Sequence, residues 1–217
     1  MFPSLHPFLG PDQLDPAVAR RLARRRRVQH RTVMFTDLQG FTGLAEALPP
    51  TLVARLLRCH FGLLLRCIAA ERGRVDKVMG DGLIAVWGEP VDGDAVCAPA
   101  LRAALAIRAA MGADNAWRRE RGMAALRLRV GIHAGPLVAT SLGRMIGLGT
   151  LLCGDTVNVA QRLEDAARTL TADRDVAILA SETVLAAAGP GFVFHEIGRL
   201  PMRGRAEPVT AFAVEAG

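Results

Sequence analysis

Two aspartates lie where the chain must turn, and glycines accompany both of them. Asp37 follows a β-prone run and precedes Gly40, and Asp81 lies between Gly80 and Gly82. Carboxylates at neighbouring strand ends, with glycines that allow close backbone approach, suit a pair of Mg²⁺ ions that bridge the phosphates of a nucleotide. Each aspartate taken alone also fits a turn or a helix cap, so the surrounding elements must decide.

A lysine close to Asp81 is the next candidate for chemistry. Of the 27 basic residues, Lys77 is the single lysine and all the others are arginine. A lysine offers a compact, rotatable ammonium instead of a planar guanidinium. Its place shortly before Asp81 indicates a position that needs this geometry, although chance also accounts for one lysine.

The segment around Asp37 predicts a strand, a tight loop and a helix. A β-prone run over 31–36 ends at Asp37, and a helical pattern extends from about residue 43 to residue 70, divided by Pro49 and Pro50. Backbone N–H groups at the start of a helix can bind a phosphate. The residues that would do so are Gly40, Phe41 and Thr42. The predicted buried face of the longer helix consists of Leu52, Leu56, Phe61, Leu64 and Ile68.

The segment around Asp81 predicts a hairpin, with strands over 74–79 and 83–87 and the aspartate at the tip. Helices and strands continue to alternate after it. The further predicted elements are a helix over 94–115, a strand over 126–133, a glycine-rich loop over 135–149, a helix over 155–168, a strand over 176–179, a helix over 181–188, and strands over 192–197 and 209–214. On the helix over 155–168, Asn158 and Arg162 share a face away from the apolar stripe.

The composition predicts one globular domain. The chain has 217 residues, 51% of them hydrophobic and 22% charged, and no apolar stretch reaches the roughly 18 residues that span a bilayer. The first ten residues lack a secretory pattern, so we expect a cytoplasmic protein. Its domains are an N-terminal extension over 1–30 and a catalytic domain over 31–217. Four cysteines without a CxxC pair are expected to be buried: Cys59, Cys67, Cys97 and Cys153.

The net charge of +6 comes from one short segment. Seven arginines and no acidic residue lie between positions 20 and 31. This run fits a phosphate backbone, an anionic lipid surface or simply the solvated face of an N-terminal helix. Because the chain lacks tyrosine and shows no aromatic stacking motif, no nucleic acid partner is expected.

Four motifs together resemble a known family. The segments are FTDLQGFT over 35–42, VDKVMGDG over 75–82, VGIHAG over 130–135 and GDTVNVAQR over 154–162. In this order they are similar to the successive motifs of class III nucleotidyl cyclase catalytic domains, and the resemblance covers roughly residues 30 to 214.

The resemblance implies an α+β fold with a ferredoxin-like βαββαβ core and additional elements. It also implies a head-to-tail homodimer with its active sites at the subunit interface. Asp37 and Asp81, helped by the backbone carbonyl of Leu38, would bind two Mg²⁺ or Mn²⁺ ions.

The other subunit would complete each site with residues that this chain also carries. By resemblance, Lys77 would contact the base, Asn158 the ribose, and Arg162 the charge that develops at the α-phosphate. Arg205 matches a cation that binds the terminal phosphate. Since a bound metal lowers the pKa of the attacking ribose 3′-hydroxyl, no histidine is needed as a base. The expectation for His133 is therefore a structural role, and Asp155 is predicted to be a helix N-cap.

One position departs from the family pattern. Adenylyl members usually pair the lysine with an aspartate or threonine seven residues before the asparagine, and guanylyl members tend to have glutamate and cysteine at the two places. Here the pair is Lys77 and Leu151, unless an offset in the loop places Thr150 there. ATP is favoured because Lys77 is not acidic. GTP, a pyrimidine triphosphate and a non-catalytic nucleotide-sensing module remain the alternatives.

Overall fold

The predicted alternation of strands and helices is present in the computed structural model. The structure describes residues 28–88, 97–141, 150–172, 174–202 and 207–217. The elements are β1 (Val28–Leu38), α1 (Phe41–Ala47), α2 (Pro50–Ala70), β2 (Arg74–Met79), β3 (Gly82–Trp87), α3 (Cys97–Glu120), β4 (Leu128–Ser141), β5 (Thr150–Cys153), α4 (Asp155–Ala166), a 3₁₀ helix (Ala167–Ala172), β6 (Val176–Ser181), α5 (Glu182–Ala186), β7 (Phe192–Leu200) and β8 (Val209–Ala216).

Some predictions fall outside the described residues. They are the N-terminal arginine helix, the start of the helix predicted from residue 94, and Arg205. The division of the chain into 1–30 and 31–217 stays a prediction. In the described part of the chain, no helix is both long and apolar enough to cross a membrane. The cytoplasmic location stays a prediction.

The strands form one sheet in the order β2-β3-β1-β4-β6-β8-β7, and β5 pairs with the end of β4. Neighbouring strands are antiparallel except β4 and β6, which are parallel. The first four strands, with α2 and α3 as their connections, give the ferredoxin-like βαββαβ core. The predicted fold class is confirmed.

Strand β1 is buried on both faces, and its period of two assigns each residue to one of them. Met34 and Leu38 join the core formed with α2 and α3. Val33 and Phe35 lie on the opposite face, in a cluster with Ala160 of α4. Asp37 shares the parity of Val33 and Phe35, so the pleat directs it to the face that α4 covers.

Helix α4 lies unusually close to the sheet because β4 has a glycine beneath it. A Cβ atom at Gly131 would lie 2.2 Å from both the carbonyl oxygen of Ala160 and the backbone nitrogen of Glu164. Only a residue without a side chain allows this approach. Gly131 therefore determines how closely α4, the helix that carries Asn158 and Arg162, approaches the sheet.

The main error of the predictions concerns β4. Residues 135–141, predicted as loop, continue the strand, and β5 was not predicted. The Gly135–Pro136 pair is typical of a turn, but β1 begins at Val28, earlier than predicted, and pairs with it. Tertiary pairing thus overrides the local turn signal.

Smaller differences concern solvent exposure and helix ends. Leu52, in the first turn of α2, is 48% exposed, whereas Leu64 and Ile68 are buried as predicted. Helix α4 ends at Ala166 and continues as a 3₁₀ helix. Of the cysteines, Cys97 is buried, Cys67 is half-buried, and Cys59 and Cys153 are exposed, so the prediction that all four are buried was wrong.

Candidate active site

The end of β1 and the tip of the β2–β3 hairpin lie side by side. Thr36 of β1 pairs with Leu83 of β3, and the backbone N–H of Leu83 donates a hydrogen bond to the Thr36 hydroxyl over 3.3 Å. A Cβ atom at Gly82 would lie 2.2 Å from the Thr36 carbonyl oxygen. The glycine is therefore required for this contact, which brings Asp81 next to Asp37.

The two predicted metal ligands interact electrostatically. Burial raises the pKa of Asp81 above its usual range, and the negative charge of Asp37 raises it further. Hydrogen bonds from the backbone at Asp81 itself and at Leu38 partly offset this rise. Two carboxylates that repel each other at one strand end form a place where a cation is favourable.

A cavity of about 440 Å³ opens beside Asp81. Its lining residues are Phe41, Thr42, Ala45, Glu46, Leu57, Gly80 and Asp81. Gly40 precedes α1 in a left-handed conformation with φ of 75°, which turns the chain sharply from β1 into the helix. The predicted substrate-binding residues Phe41 and Thr42 thus share one cavity with a predicted metal ligand.

The donors present fit a divalent cation that also binds a nucleotide. The described residues contain no group of three or more His, Cys, Asp or Glu side chains suited to a metal ion. Mg²⁺ is commonly held by one or two carboxylates together with substrate phosphates and water. Asp37, Asp81 and the carbonyl of Leu38 match this requirement, and no protein cage is needed.

A buried ion-pair chain lies behind Asp37. Arg129 of β4 pairs with Asp37 in the sheet register, and its Nη2 forms a salt bridge with Asp37 Oδ2. On its other side, Arg129 Nε lies 3.0 Å from Oε1 of Glu164, with the two side chains only 7% and 8% exposed. These two atoms are not aligned as a hydrogen bond, so the contact is an ion pair.

The sequence reasoning missed Arg129 and Glu164. Burial raises the pKa of Glu164 to about 7, Arg129 opposes this rise, and Asp37 adds to it. The available signal was a charged residue inside an apolar strand and another beside the apolar stripe of α4. Residues that contradict the hydrophobic pattern often belong to a functional site.

Lys77 lies on β2 and is partly exposed. Its Nζ is 2.5 Å from Oδ2 of Asp76, whose side chain is only 2% exposed. The pairing of β2 with β3 shifts register between Val75 and Lys77, so Asp76 occupies a bulge. Such a bulge re-aims side chains near functional sites.

The remaining predicted residues lie on α4 and β5. Asn158 is exposed and Arg162 is half-buried on α4, and Leu151 is 42% exposed on β5. Within the described ranges, the side chains of Asn158 and Arg162 form no hydrogen bond or ion pair. Nothing in one chain's described part joins either of them to Asp37 or Asp81.

Two secondary predictions have different outcomes. His133 is buried, and its Nδ1 lies 2.7 Å from the Ser181 hydroxyl, which agrees with a structural role. Asp155 is not the N-cap of α4. The cap position is Gly154, with φ of 151°, and Asp155 is the first helical residue. At that position its negative charge still interacts favourably with the helix dipole.

Comparison with known proteins identifies the relatives of this chain. The model of the "Adenylate and Guanylate cyclase catalytic domain" family matches residues 24–216. Adenylate cyclase 1 of Rhizobium meliloti is 34% identical over 86% of this chain, and the adenylate cyclase of Anabaena cylindrica is 28% identical over 85%. The chain spans only 27% and 36% of the length of these two relatives.

Solved structures have the same fold. The guanylyl cyclase Cya2 superposes with a TM-score of 0.72 at 27% identity, covering 88% of this chain and 95% of that one. The adenylyl cyclase CyaB from P. aeruginosa gives 0.76 at 24% identity, covering 88% and 96%. The resemblance inferred from the four motifs is confirmed.

Proposed function

The chain belongs to the adenylate and guanylate cyclase catalytic domain family, and we propose that it converts a nucleoside triphosphate, preferably ATP, into the 3′,5′-cyclic nucleotide and pyrophosphate. In this reaction the ribose 3′-hydroxyl attacks the α-phosphate in line. The α–β phosphoanhydride bond breaks, and the leaving group is pyrophosphate.

One feature of the site supports this proposal above the others. Asp37 and Asp81 meet at the end of β1, and a cavity lined by Phe41 and Thr42 opens beside Asp81. Paired carboxylates next to a cavity of this size suit a metal-bound triphosphate. A domain that only binds partners has no need for repelling carboxylates at this place.

Asp37, Asp81 and the Leu38 carbonyl would hold two Mg²⁺ or Mn²⁺ ions. When bound, the metals lower the pKa of the attacking hydroxyl and neutralise phosphate charge. The carboxylates orient the triphosphate through these ions, while the chain between Gly40 and Thr42 offers backbone N–H groups to the phosphates.

Two copies of the chain are needed to build one site. Lys77, Asn158 and Arg162 are at least partly exposed on β2 and α4, where a second subunit can reach them. In a head-to-tail homodimer each subunit would supply its aspartates to one site and these three residues to the other. Arg162 would stabilise the charge on the α-phosphate, an electrostatic contribution of about 3 kcal/mol. Arg205, proposed from the sequence to bind the terminal phosphate, lies outside the described residues.

ATP is the proposed base choice because Lys77 is not acidic and because relatives at 34% and 28% identity are adenylate cyclases. Leu151 offers no hydrogen bond to a base, so we expect weak discrimination. The alternatives are a guanylyl or pyrimidine cyclase and a non-catalytic nucleotide-sensing module.

The test is incubation of the purified protein with each of ATP, GTP, CTP and UTP in the presence of Mg²⁺ or Mn²⁺, with mass spectrometry of the products. Cyclic AMP as the main product supports the proposal. A cyclic pyrimidine nucleotide contradicts the base choice but leaves the metal roles intact. Nucleotide binding without any product favours the sensing module.

A further inference from the structure

Three ionisable side chains from three elements form one chain of contacts behind the proposed metal site. Asp37 ends β1, Arg129 lies opposite it on β4, and Glu164 lies above Arg129 on α4. Arg129 contacts a carboxylate on each side, and only Asp37 of the three is substantially exposed. The two inner residues therefore have little access to solvent.

Stability alone does not explain this arrangement. The Nε and Nη1 atoms of Arg129 and the Oε1 atom of Glu164 are buried without a hydrogen-bond partner among the described residues. Buried ion pairs often contribute no more stability than apolar side chains of similar volume, because desolvation offsets the attraction. An incompletely satisfied buried pair next to a functional carboxylate is better explained by what it positions.

The backbone leaves Glu164 little freedom to move away from Arg129. Because Gly131 lies directly beneath α4, the backbone nitrogen of Glu164 is held against β4. Arg129 is two residues from Gly131 on the same face of the strand. The backbone of Glu164 is thus fixed by packing against β4, and the Arg129 guanidinium lies between the Glu164 carboxylate and Asp37.

We propose that Glu164 is a positioning residue, which holds the Arg129 guanidinium so that this group keeps the Asp37 carboxylate oriented for a divalent cation. The inference rests on the proposed function, since it assumes that Asp37 binds a metal. A planar guanidinium that contacts one carboxylate on each side transmits orientation in a way that a lysine ammonium does not. Outer contacts of this kind typically change metal affinity about 10-fold or more when they are removed.

The first test measures metal binding in Glu164→Gln, which keeps the size of the side chain and removes its charge. The probe is Mn²⁺, followed by the free-ion signal in electron paramagnetic resonance, with the 3′-deoxy form of the accepted nucleotide, which cannot cyclise. We expect the Mn²⁺ affinity to fall about 10-fold. The matched control is Asp165→Asn, on the exposed neighbouring position, which should stay within two-fold of the wild type.

The outcomes separate this inference from the proposed function. A wild-type protein that binds no Mn²⁺ contradicts the proposed function itself. Wild-type binding together with unchanged affinity in Glu164→Gln overturns the positioning role. If Glu164→Gln does not fold, Arg129→Lys replaces it, with the same expected 10-fold loss, because one ammonium cannot hold the fork geometry between two carboxylates.

A second test asks whether Glu164 is needed in the subunit that donates Asp37 or in the subunit that donates Arg162. Heterodimers are formed from Asp37→Ala and Arg162→Ala subunits, so that the single intact site takes Asp37 from one subunit and Arg162 from the other. Glu164→Gln should reduce activity about 10-fold in the subunit that donates Asp37. In the subunit that donates Arg162, it should change activity less than two-fold. Equal losses in both positions would show a general effect on α4 and overturn the proposal.

Discussion

The two halves of the proposed site differ in how firmly one chain holds them. The metal half, Asp37 and Asp81, lies at the ends of paired strands, with a glycine contact on one side and a buried ion pair on the other. The recognition half consists of Lys77 on β2 and of Asn158 and Arg162 on α4, and all three residues are half-buried or exposed. The fold of one chain holds the first half in place, and it leaves the second half on the surface, where a second subunit could reach it.

This difference has a physical reason. Carboxylates that repel each other need a rigid frame, because otherwise they would separate into solvent before a cation arrives. Groups that recognise a base, a ribose or a developing charge gain most when they close onto the substrate from outside and exclude water. The contrast therefore favours a site that is completed only on dimerisation.

The largest expected effect comes from the metal half. Asp37→Asn or Asp81→Asn should each reduce turnover about 10³-fold, since each removes a charge that a cation requires. Thermal unfolding of Asp81→Asn should remain close to that of the wild type, because Asp81 lies at the tip of a hairpin. Asp37→Asn should be less stable, because it removes the charge that pairs with the buried Arg129. Asp165→Asn serves as the control for loss of one exposed carboxylate. Near-normal turnover with Mg²⁺ in both variants would contradict the two-metal assignment.

The relation between the halves is tested by mixing two inactive proteins. Asp37→Ala and Arg162→Ala should recover activity together, because a heterodimer contains one intact site and one doubly damaged site. Random exchange places about half of the protein in heterodimers, so the ceiling is about one quarter of wild-type activity. Subunit exchange is checked by mass spectrometry of the intact dimers. Demonstrated exchange without recovery would place both halves of the site in one chain.

The sequence predicted the frame of the metal half well. The strand before Asp37 and the hairpin that carries Asp81 depend on local patterns, namely period-two hydrophobicity and a glycine turn. The continuation of β4 and the presence of β5 depend on pairing with distant strands, which local signals do not encode. Arg129 and Glu164 were missed for a related reason: together with Asp37 they come from three elements that meet only in the folded chain.

The contact between β4 and helix α4 is expected to be sensitive to one added methyl group at Gly131. Gly131→Ala would place a Cβ atom 2.2 Å from the backbone of α4, so the helix must move away from the sheet. We expect a loss of about 3 kcal/mol in the free energy of unfolding, measured by denaturant titration. Gly112→Ala in α3, where the added atom meets nothing within 4 Å, should instead be stabilising by about 0.5 to 1 kcal/mol. An unchanged stability in Gly131→Ala would mean that α4 is not held by this contact.

His60 is a buried histidine outside both halves of the site, and we expect it to make the fold less stable at low pH. Burial and the nearby Arg118 lower the pKa of His60 to about 4, although Asp114 opposes the shift. The stability that depends on neutral His60 is complete above pH 6.5 and is lost as the pH falls towards 4, by roughly 3 kcal/mol. His60→Leu should flatten the fall of the melting temperature between pH 6.5 and 4.5. An equal fall in both proteins would assign the acid sensitivity to other groups.

The smallest expected effect lies in the recognition half, at the position where this chain departs from its family. Leu151 is exposed and offers no hydrogen bond, so a mismatched base leaves no polar group unpaired, and discrimination should be weak. Leu151→Asp should raise the preference for ATP about 10-fold by accepting a hydrogen bond from its amino group. Lys77→Glu combined with Leu151→Cys should move activity towards GTP. The measurement is kcat/KM for the four triphosphates, with Leu185→Asp as a control for a charge at another exposed leucine. A wild-type protein that ignores ATP and cyclises a pyrimidine triphosphate would show that other groups recognise the base, while the roles of the metal half would stand.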